Sequence, residues 1–214
     1  MSVFVVAIMT TINSSNEKSL DSKSLDLALA SLAIRLAENQ ASPVEFVICG
    51  GSALILTGMI PRTTKDVDVV AMIRGGVLYS PDPLPEDLQK ASAEVAEDLG
   101  LANNWLNNGP SKGDGGLFQM GLPAGFVNRL KSKTYSSLLT VHFIDRVDQI
   151  HFKLYAAVDR GGYHIEDLRM LAPSVAELET AARWTMTHDV SKGFAMVLKD
   201  LLRKLGYENV AEQL

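Results

Sequence analysis

Cysteine is nearly absent: Cys49 is alone among 214 residues. One thiol cannot close an internal disulfide or build a cysteine-based zinc site. A reducing compartment is therefore expected. Long apolar runs are missing as well, and none approaches the ~20 residues of a membrane span. The longest near the N-terminus is Val3-Phe4-Val5-Val6-Ala7-Ile8-Met9. No Lys or Arg precedes it and no small-residue cleavage site follows it, so it reads as a packed strand or extended tail rather than a signal peptide. The expectation is a cytoplasmic protein with no membrane partner. Positive charge is not in excess: 20 Lys and Arg face 25 Asp and Glu, for a net charge of -5. A chain that coats nucleic acid non-specifically should be basic, so that class is disfavoured, although a local basic patch survives the argument. What is present is ordinary globular composition. Apolar residues make up 47%, which excludes global disorder and leaves room for one large domain or two small ones.

Along the chain, residues 11–23 are polar and read as a linker or cap. Leu25, Leu29, Leu32 and Leu36 recur at helical spacing and predict a helix from Ser24 to about Asn39. After Pro43, residues 44–49 form a short β-rich run ended by Gly50-Gly51, and a helix is expected to begin at Ser52. Residues 66–73 alternate and then become apolar, which predicts a second strand. An acidic helix runs from Glu86 to about Leu99 and is closed by Gly100. Residues 103–125, rich in Gly and Asn around Trp105, show little periodicity and read as a long irregular stretch. A third strand is expected over 138–144. Helices are expected over about 147–160, 164–171, 174–187 and 191–205. The fold class predicted is α+β, a mixed-sheet lobe over 1–145 followed by a helical C-terminal region over 146–214.

The chemistry-bearing segment is Gly50-Gly51-Ser52 followed by Asp66-x-Asp68. Residues two apart on a strand share a face, so Asp66 and Asp68 present two carboxylates together. Hard cations such as Mg²⁺ take oxygen ligands, with one or two carboxylates completed by substrate phosphates. Glycines at positions 50 and 51 remove side chains where backbone must approach a ligand. Ser52 at a helix start offers N–H groups and a hydroxyl to phosphate oxygens. Taken singly, a Gly-Gly is a turn and an Asp-x-Asp a solvated strand edge. The order strand, Gly-Gly-Ser, helix, Arg62-Thr63-Thr64-Lys65, then Asp-x-Asp on an apolar strand is far more restrictive.

This segment, Gly50-Gly51-Ser52-Ala53 … Gly58 … Arg62-Thr63-Thr64-Lys65-Asp66-Val67-Asp68-Val69, resembles the signature of the polymerase-β-type nucleotidyltransferase superfamily. It looks closest to the branch of abortive-infection toxin nucleotidyltransferases and their uncharacterised relatives. A second stretch, Asp148 to Leu154 with Asp159-Arg160 and His164-Ile165-Glu166-Asp167-Leu168, resembles that branch's second motif. The resemblance implies that Asp66 and Asp68 hold Mg²⁺ or Mn²⁺ and that Gly50, Gly51 and Ser52 contact nucleotide phosphates. Lys153 and Asp167 would form the second-motif pair, with Lys153 on phosphate, and Arg62, Lys65 and Arg160 would help bind the nucleotide. The implied partners are an NTP, an RNA or protein acceptor, and a cognate antitoxin.

One departure stands out. Active superfamily members commonly carry a third carboxylate on a neighbouring strand, and residues 138–144 contain no Asp or Glu. His142 and Asp145 are the nearest candidates, although Asp145 suits a helix N-cap. A nucleotide-binding module without catalysis therefore stays open beside the enzyme. Arg129, Lys131 and Lys133 read either as a small RNA-contacting edge or as a solvated helix end. Trp105, Tyr155 and Trp184 read as core aromatics, and His188-Asp189 as a helix boundary.

Overall fold

The computed structural model describes residues 18–214. The apolar run 3–9 and the first part of the polar stretch 11–23 lie outside the described residues.

The first helix, α1 (Ser22–Glu38), starts at a reciprocal cap. Asp21 accepts from the Ser24 amide at 2.8 Å while the Ser24 hydroxyl accepts from the Asp21 amide at 2.8 Å. Its Leu25, Ala28, Leu29, Leu32 and Leu36 are buried, which is the stripe expected of a 3.6-residue period. The chain continues through β1 (Val44–Cys49), α2 (Gly50–Leu56), β2 (Val67–Arg74), β3 (Val77–Tyr79) and α3 (Glu86–Leu99). Next come β4 (Leu106–Asn107), a 3-10 turn (Gly109–Ser111), α4 (Leu117–Met120), α5 (Phe126–Arg129), β5 (Lys131–Ser136) and β6 (Leu139–Phe143). Five further helices complete it: α6 (Arg146–Asp159), α7 (Tyr163–Leu171), α8 (Val175–His188), α9 (Lys192–Lys204) and α10 (Glu208–Gln213).

The strands make one mixed sheet in the order β3-β2-β1-β6-β5, with β4 beside β2. β1 runs antiparallel to β2 and parallel to β6. Residues 69–72 of β2 are all buried, as are 46–49 of β1, so both central strands are covered on both faces and read as continuous apolar runs. Two apolar clusters result. One joins α1, the sheet, α3 and Trp105; the other joins α6 to α10. α2 and α6 belong to both: Ala53 and Phe152 sit in the first cluster, Leu54 and Leu154 in the second.

Several boundaries differ from the sequence reading. α2 begins at Gly50, so both glycines lie inside the helix, and β2 begins at Val67, with Asp66 one residue before it. The stretch 103–125 holds β4, the 3-10 turn and α4. Its hydrogen bonds come from elements distant in sequence, such as Ser111 Oγ to the Val70 carbonyl at 2.8 Å. Residues 131–136 are an edge strand rather than a helix end. Their sequence, Lys-Ser-Lys-Thr-Tyr-Ser, has no apolar alternation because residues 131–134 are all exposed and the last two only half-buried, so neither face is a core face. Charge along an exposed edge also discourages pairing with other chains.

Asp148 is fully buried and accepts from Arg129 Nε at 3.1 Å and Nη2 at 2.5 Å, tying the residue that ends α5 to α6. Asp148→Ala leaves that guanidinium without its partner and should cost about 2 kcal/mol, discounted because Arg129 is partly exposed. Urea unfolding should show a lower midpoint with an unchanged slope. An unchanged midpoint would mean that the pair contributes nothing.

Candidate functional site

The junction of α2, α6 and the start of β2 encloses a cavity of about 600 Å³. Three kinds of surface meet there. An acidic edge is made by Asp66 and Asp68, with Asn107 beside them. A cationic wall is made by Arg62, Lys153 and Arg160, with Lys65 also lining the space. Backbone of Gly50 and Gly51 forms part of the floor.

Strand pairing places Asp68, and Asp66 precedes the strand by one residue. Asp68 stands opposite Cys49, the last residue of β1, and opposite Asn107 of β4. Val67 between the two acids is buried, while Asp66 and Asp68 reach the cavity. Thr64 Oγ1 donates to Asp66 Oδ1 at 3.1 Å. Asn107 is oriented by the Gly109 amide, which donates to its Oδ1 at 2.8 Å, and its side chain in turn hydrogen-bonds the Asp68 carboxylate. Burial, and then the neighbouring Asp66 charge, push the Asp68 carboxyl up to about 6, although the Asn107 hydrogen bond and the Lys153 charge oppose this. Two hard oxygen donors sharing an uncomfortable negative charge are the chemistry of a divalent-cation site, with substrate oxygens completing the shell. Among the described residues no group of three or more His, Cys, Asp or Glu side chains converges.

The glycines are sterically required. Gly50 has φ +67°, and a Cβ there would stand 2.7 Å from Asp68 Oδ2. A Cβ on Gly51 would stand 2.8 Å from Arg62 Nη2. Ser52 behaves differently from the expectation: it is 1% exposed, does not line the cavity, and its hydroxyl donates to the Cys49 carbonyl at 3.2 Å. As the third residue of α2 it points into protein, because the helix begins two residues earlier than the pattern suggested.

Two cations of the same lining are organised by one carboxylate. Asp167 is 2% exposed, and its Oδ2 accepts from both Lys153 Nζ at 2.7 Å and Arg62 Nη2 at 2.8 Å. Asp167 itself does not line the cavity, so it holds the two cations in place from behind. One buried negative charge against two positive charges leaves this wall net positive. Arg160 is mostly exposed, 3.4 Å from Asp159, and lines the same cavity as Lys153 seven residues earlier on the same helix edge. The candidate third ligands go elsewhere. His142 pairs with Glu45 at 3.1 Å, and Asp145 caps α6 by accepting from the Val147 amide at 3.1 Å.

Asn107 and Tyr163 had no role in the sequence-based expectation, and His164 stood there only as part of the second motif. Asn107 lay in the aperiodic stretch, where only its pairing with β2 gives it meaning. Tyr163 and His164 open α7, four and three residues before Asp167, and no spacing rule gives them a role.

Residues 27–107 match the model of a family described as "Nucleotidyltransferase of unknown function (DUF6036)". The matched stretch contains β1, both glycines, Asp66, Asp68 and Asn107, and supports a nucleotidyltransferase-like family. It ends before α6, so Lys153, Arg160 and Asp167 rest on the structure alone. No curated protein and no solved structure matches the chain. The mixed α+β architecture with a helical C-terminal region is consistent with a nucleotidyltransferase-like fold.

Asp68 gives a test by pH. Its folded carboxyl is raised above the ordinary 3.8, so between about pH 4 and pH 6 the folded state binds more protons than the unfolded one. The contribution of Asp68 to stability should therefore fall as pH rises through that window. Asp68→Asn, which removes the charge and keeps an acceptor for Asn107, should be more stable than the parent at pH 7.5 by on the order of 2 kcal/mol. The gain should vanish near pH 4. Equal melting temperatures at pH 7.5 would show that the carboxylate is not strained.

Proposed function

We propose that the protein is a divalent-metal-dependent nucleotidyltransferase that moves a nucleoside monophosphate from an NTP to an acceptor hydroxyl. The observation that carries this reading is the pair Asp66 and Asp68 lining one cavity together with Lys153, Arg62 and Arg160. A nucleoside triphosphate is itself anionic, so a purely acidic pocket would repel it and a purely cationic one would bind it without a place for metal. Acid and base lining one cavity suit a metal–triphosphate complex.

In the transfer, the acceptor oxygen forms a bond to the α-phosphorus as the bond to the β-phosphate bridging oxygen breaks, and pyrophosphate leaves. Asp66 and Asp68 are the residues that would hold Mg²⁺ or Mn²⁺. The bound cation supplies Lewis acidity that lowers the acceptor's pKa and neutralises charge on the leaving pyrophosphate. Asn107 keeps the Asp68 carboxylate oriented. Gly50 and Gly51 keep backbone, rather than side chain, beside the phosphates. Lys153 and Arg62, held by Asp167, meet the negative charge of the phosphate chain, and their placement before substrate arrives is what electrostatic preorganisation requires.

The resemblance to toxin-type enzymes extends the proposal to an RNA or protein hydroxyl as acceptor and to a cognate antitoxin as partner. A second reading has its own observation. With His142 and Asp145 engaged elsewhere, two carboxylates stand without a third among the described residues. That arrangement also suits a module that binds nucleotide without transferring it.

The two readings separate in one assay. The purified protein is incubated with each α-labelled NTP, Mg²⁺ and total RNA, and label is followed into RNA and protein. The enzyme reading expects incorporation, reduced at least about a hundredfold in the Asp66→Asn, Asp68→Asn double variant. Lys153→Ala should lower turnover more than apparent NTP affinity, because its contact strengthens as charge develops. NTP binding with no incorporation from any of the four nucleotides would leave the binding module.

A further inference from the structure

The acidic edge and the cationic wall account for metal and phosphates, but a nucleotide also carries an uncharged, aromatic end. Recognising that end takes an exposed π-face and a neutral group able to donate or accept a hydrogen bond. The start of α7 supplies both. Tyr163 is 59% exposed on the cavity wall, whereas Phe152, the other aromatic ring lining the cavity, is buried at 5%. The Tyr163 ring lies 4.1 Å from the His164 ring, centroid to centroid, tilted by 37°. Its position is held by the cations that would carry the phosphates, with the Arg62 guanidinium 5.3 Å and the Lys153 ammonium 5.6 Å from its centroid.

His164 is the stronger observation. Three of the four histidines have hydrogen-bond partners: His142 on Glu45, His151 on the Val147 carbonyl, and His188 on the Trp184 and Gly121 carbonyls. His164 is 8% exposed and lines the cavity, yet its Nδ1 is buried with no partner. Its Nε2 makes no hydrogen bond to any described residue either. A buried polar group left in this state costs on the order of 1–3 kcal/mol and calls for an explanation. Packing does not supply one, since an apolar residue would fill the same volume without that penalty.

We propose that Tyr163 and His164 form the seat of the nucleobase, with the Tyr163 ring carrying the base's face and the His164 imidazole hydrogen-bonding its edge. This rests on the nucleotide-binding reading above. The electrostatics agree with it. Burial first, then the charges of Lys153 and Arg160, push the His164 imidazole down to about 4. At neutral pH it is an uncharged ring with one donor and one acceptor nitrogen. Neighbouring cations can only donate and neighbouring carboxylates can only accept, so His164 adds a group that does either, which suits a base edge better than a phosphate.

The test compares binding of the four Mg²⁺–NTPs with binding of Mg²⁺–tripolyphosphate, which lacks base and sugar. Tyr163→Ala and His164→Phe should each weaken NTP binding about tenfold while tripolyphosphate affinity stays unchanged. Tyr163→Trp, which keeps a π-face, should retain parental NTP affinity, and thermal melts confirm that each variant is folded. Equal losses for NTP and tripolyphosphate would make these residues phosphate ligands and overturn the proposal. Unchanged NTP affinity in both variants would overturn it as well, while leaving the nucleotide-binding reading intact. A parent protein that binds neither compound would remove both readings together.

Discussion

Two partly buried carboxylates sharing one edge of a cavity repel one another, and the site is arranged around that constraint. Asp66 and Asp68 reach the cavity on either side of buried Val67; strand pairing fixes Asp68 opposite Cys49, and Asp66, one residue before β2, is held by the Thr64 hydroxyl. The rise of the Asp68 carboxyl to about 6 reports the strain. Around it the structure supplies partial relief: a hydroxyl from Thr64 on Asp66, an amide from Asn107 on Asp68, and positive charge lining the same cavity. On the proposed reading a divalent cation would neutralise the pair more fully, and the local instability that remains without it is one that ligand binding would remove.

The cationic wall solves the opposite problem. Lys153 is 3% exposed, and an isolated buried ammonium would be unfavourable. Asp167 makes its burial tolerable and uses the same oxygen to hold Arg62 from a different part of the chain. The link joins α6, α7 and the loop before β2, bringing together three segments that share no sequence proximity. Because one anion serves two cations, the wall keeps a net positive charge toward the cavity. Tyr163 packs against both cations, so the carboxylate that positions the cations also helps to position an exposed aromatic ring.

The location of the cavity follows from packing. α2 and α6 each contribute residues to both apolar clusters, and the gap between those clusters opens where their glycine and lysine faces meet. Gly50 and Gly51 matter because α2 starts there rather than at Ser52. The same shift turns Ser52 inward onto the Cys49 carbonyl, so a residue the motif placed on phosphate serves the helix instead.

Periodicity and turn chemistry determined much of this protein in the linear chain. The stripe of α1, the strands β1, β2 and β6, the Gly100 stop of α3 and the C-terminal helices are local patterns, set by side-chain spacing and backbone freedom. The placing of Asp66 with Asp68 was legible because the two are neighbours in sequence, and the glycine at position 50 was legible as a residue free to take a positive φ, although the Asp68 oxygen that it makes room for is distant in the chain. The edge strand β5 was not legible, because a strand solvated on both faces has no period to show. The tertiary structure alone decided that Asn107 would stand beside Asp68, that Asp167 would hold Arg62 as well as Lys153, and that His164 would line a cavity with its Nδ1 buried and unpartnered. Each of those depends on contacts between residues tens of positions apart. Such contacts follow from how the two apolar clusters close on each other, and no local spacing encodes that.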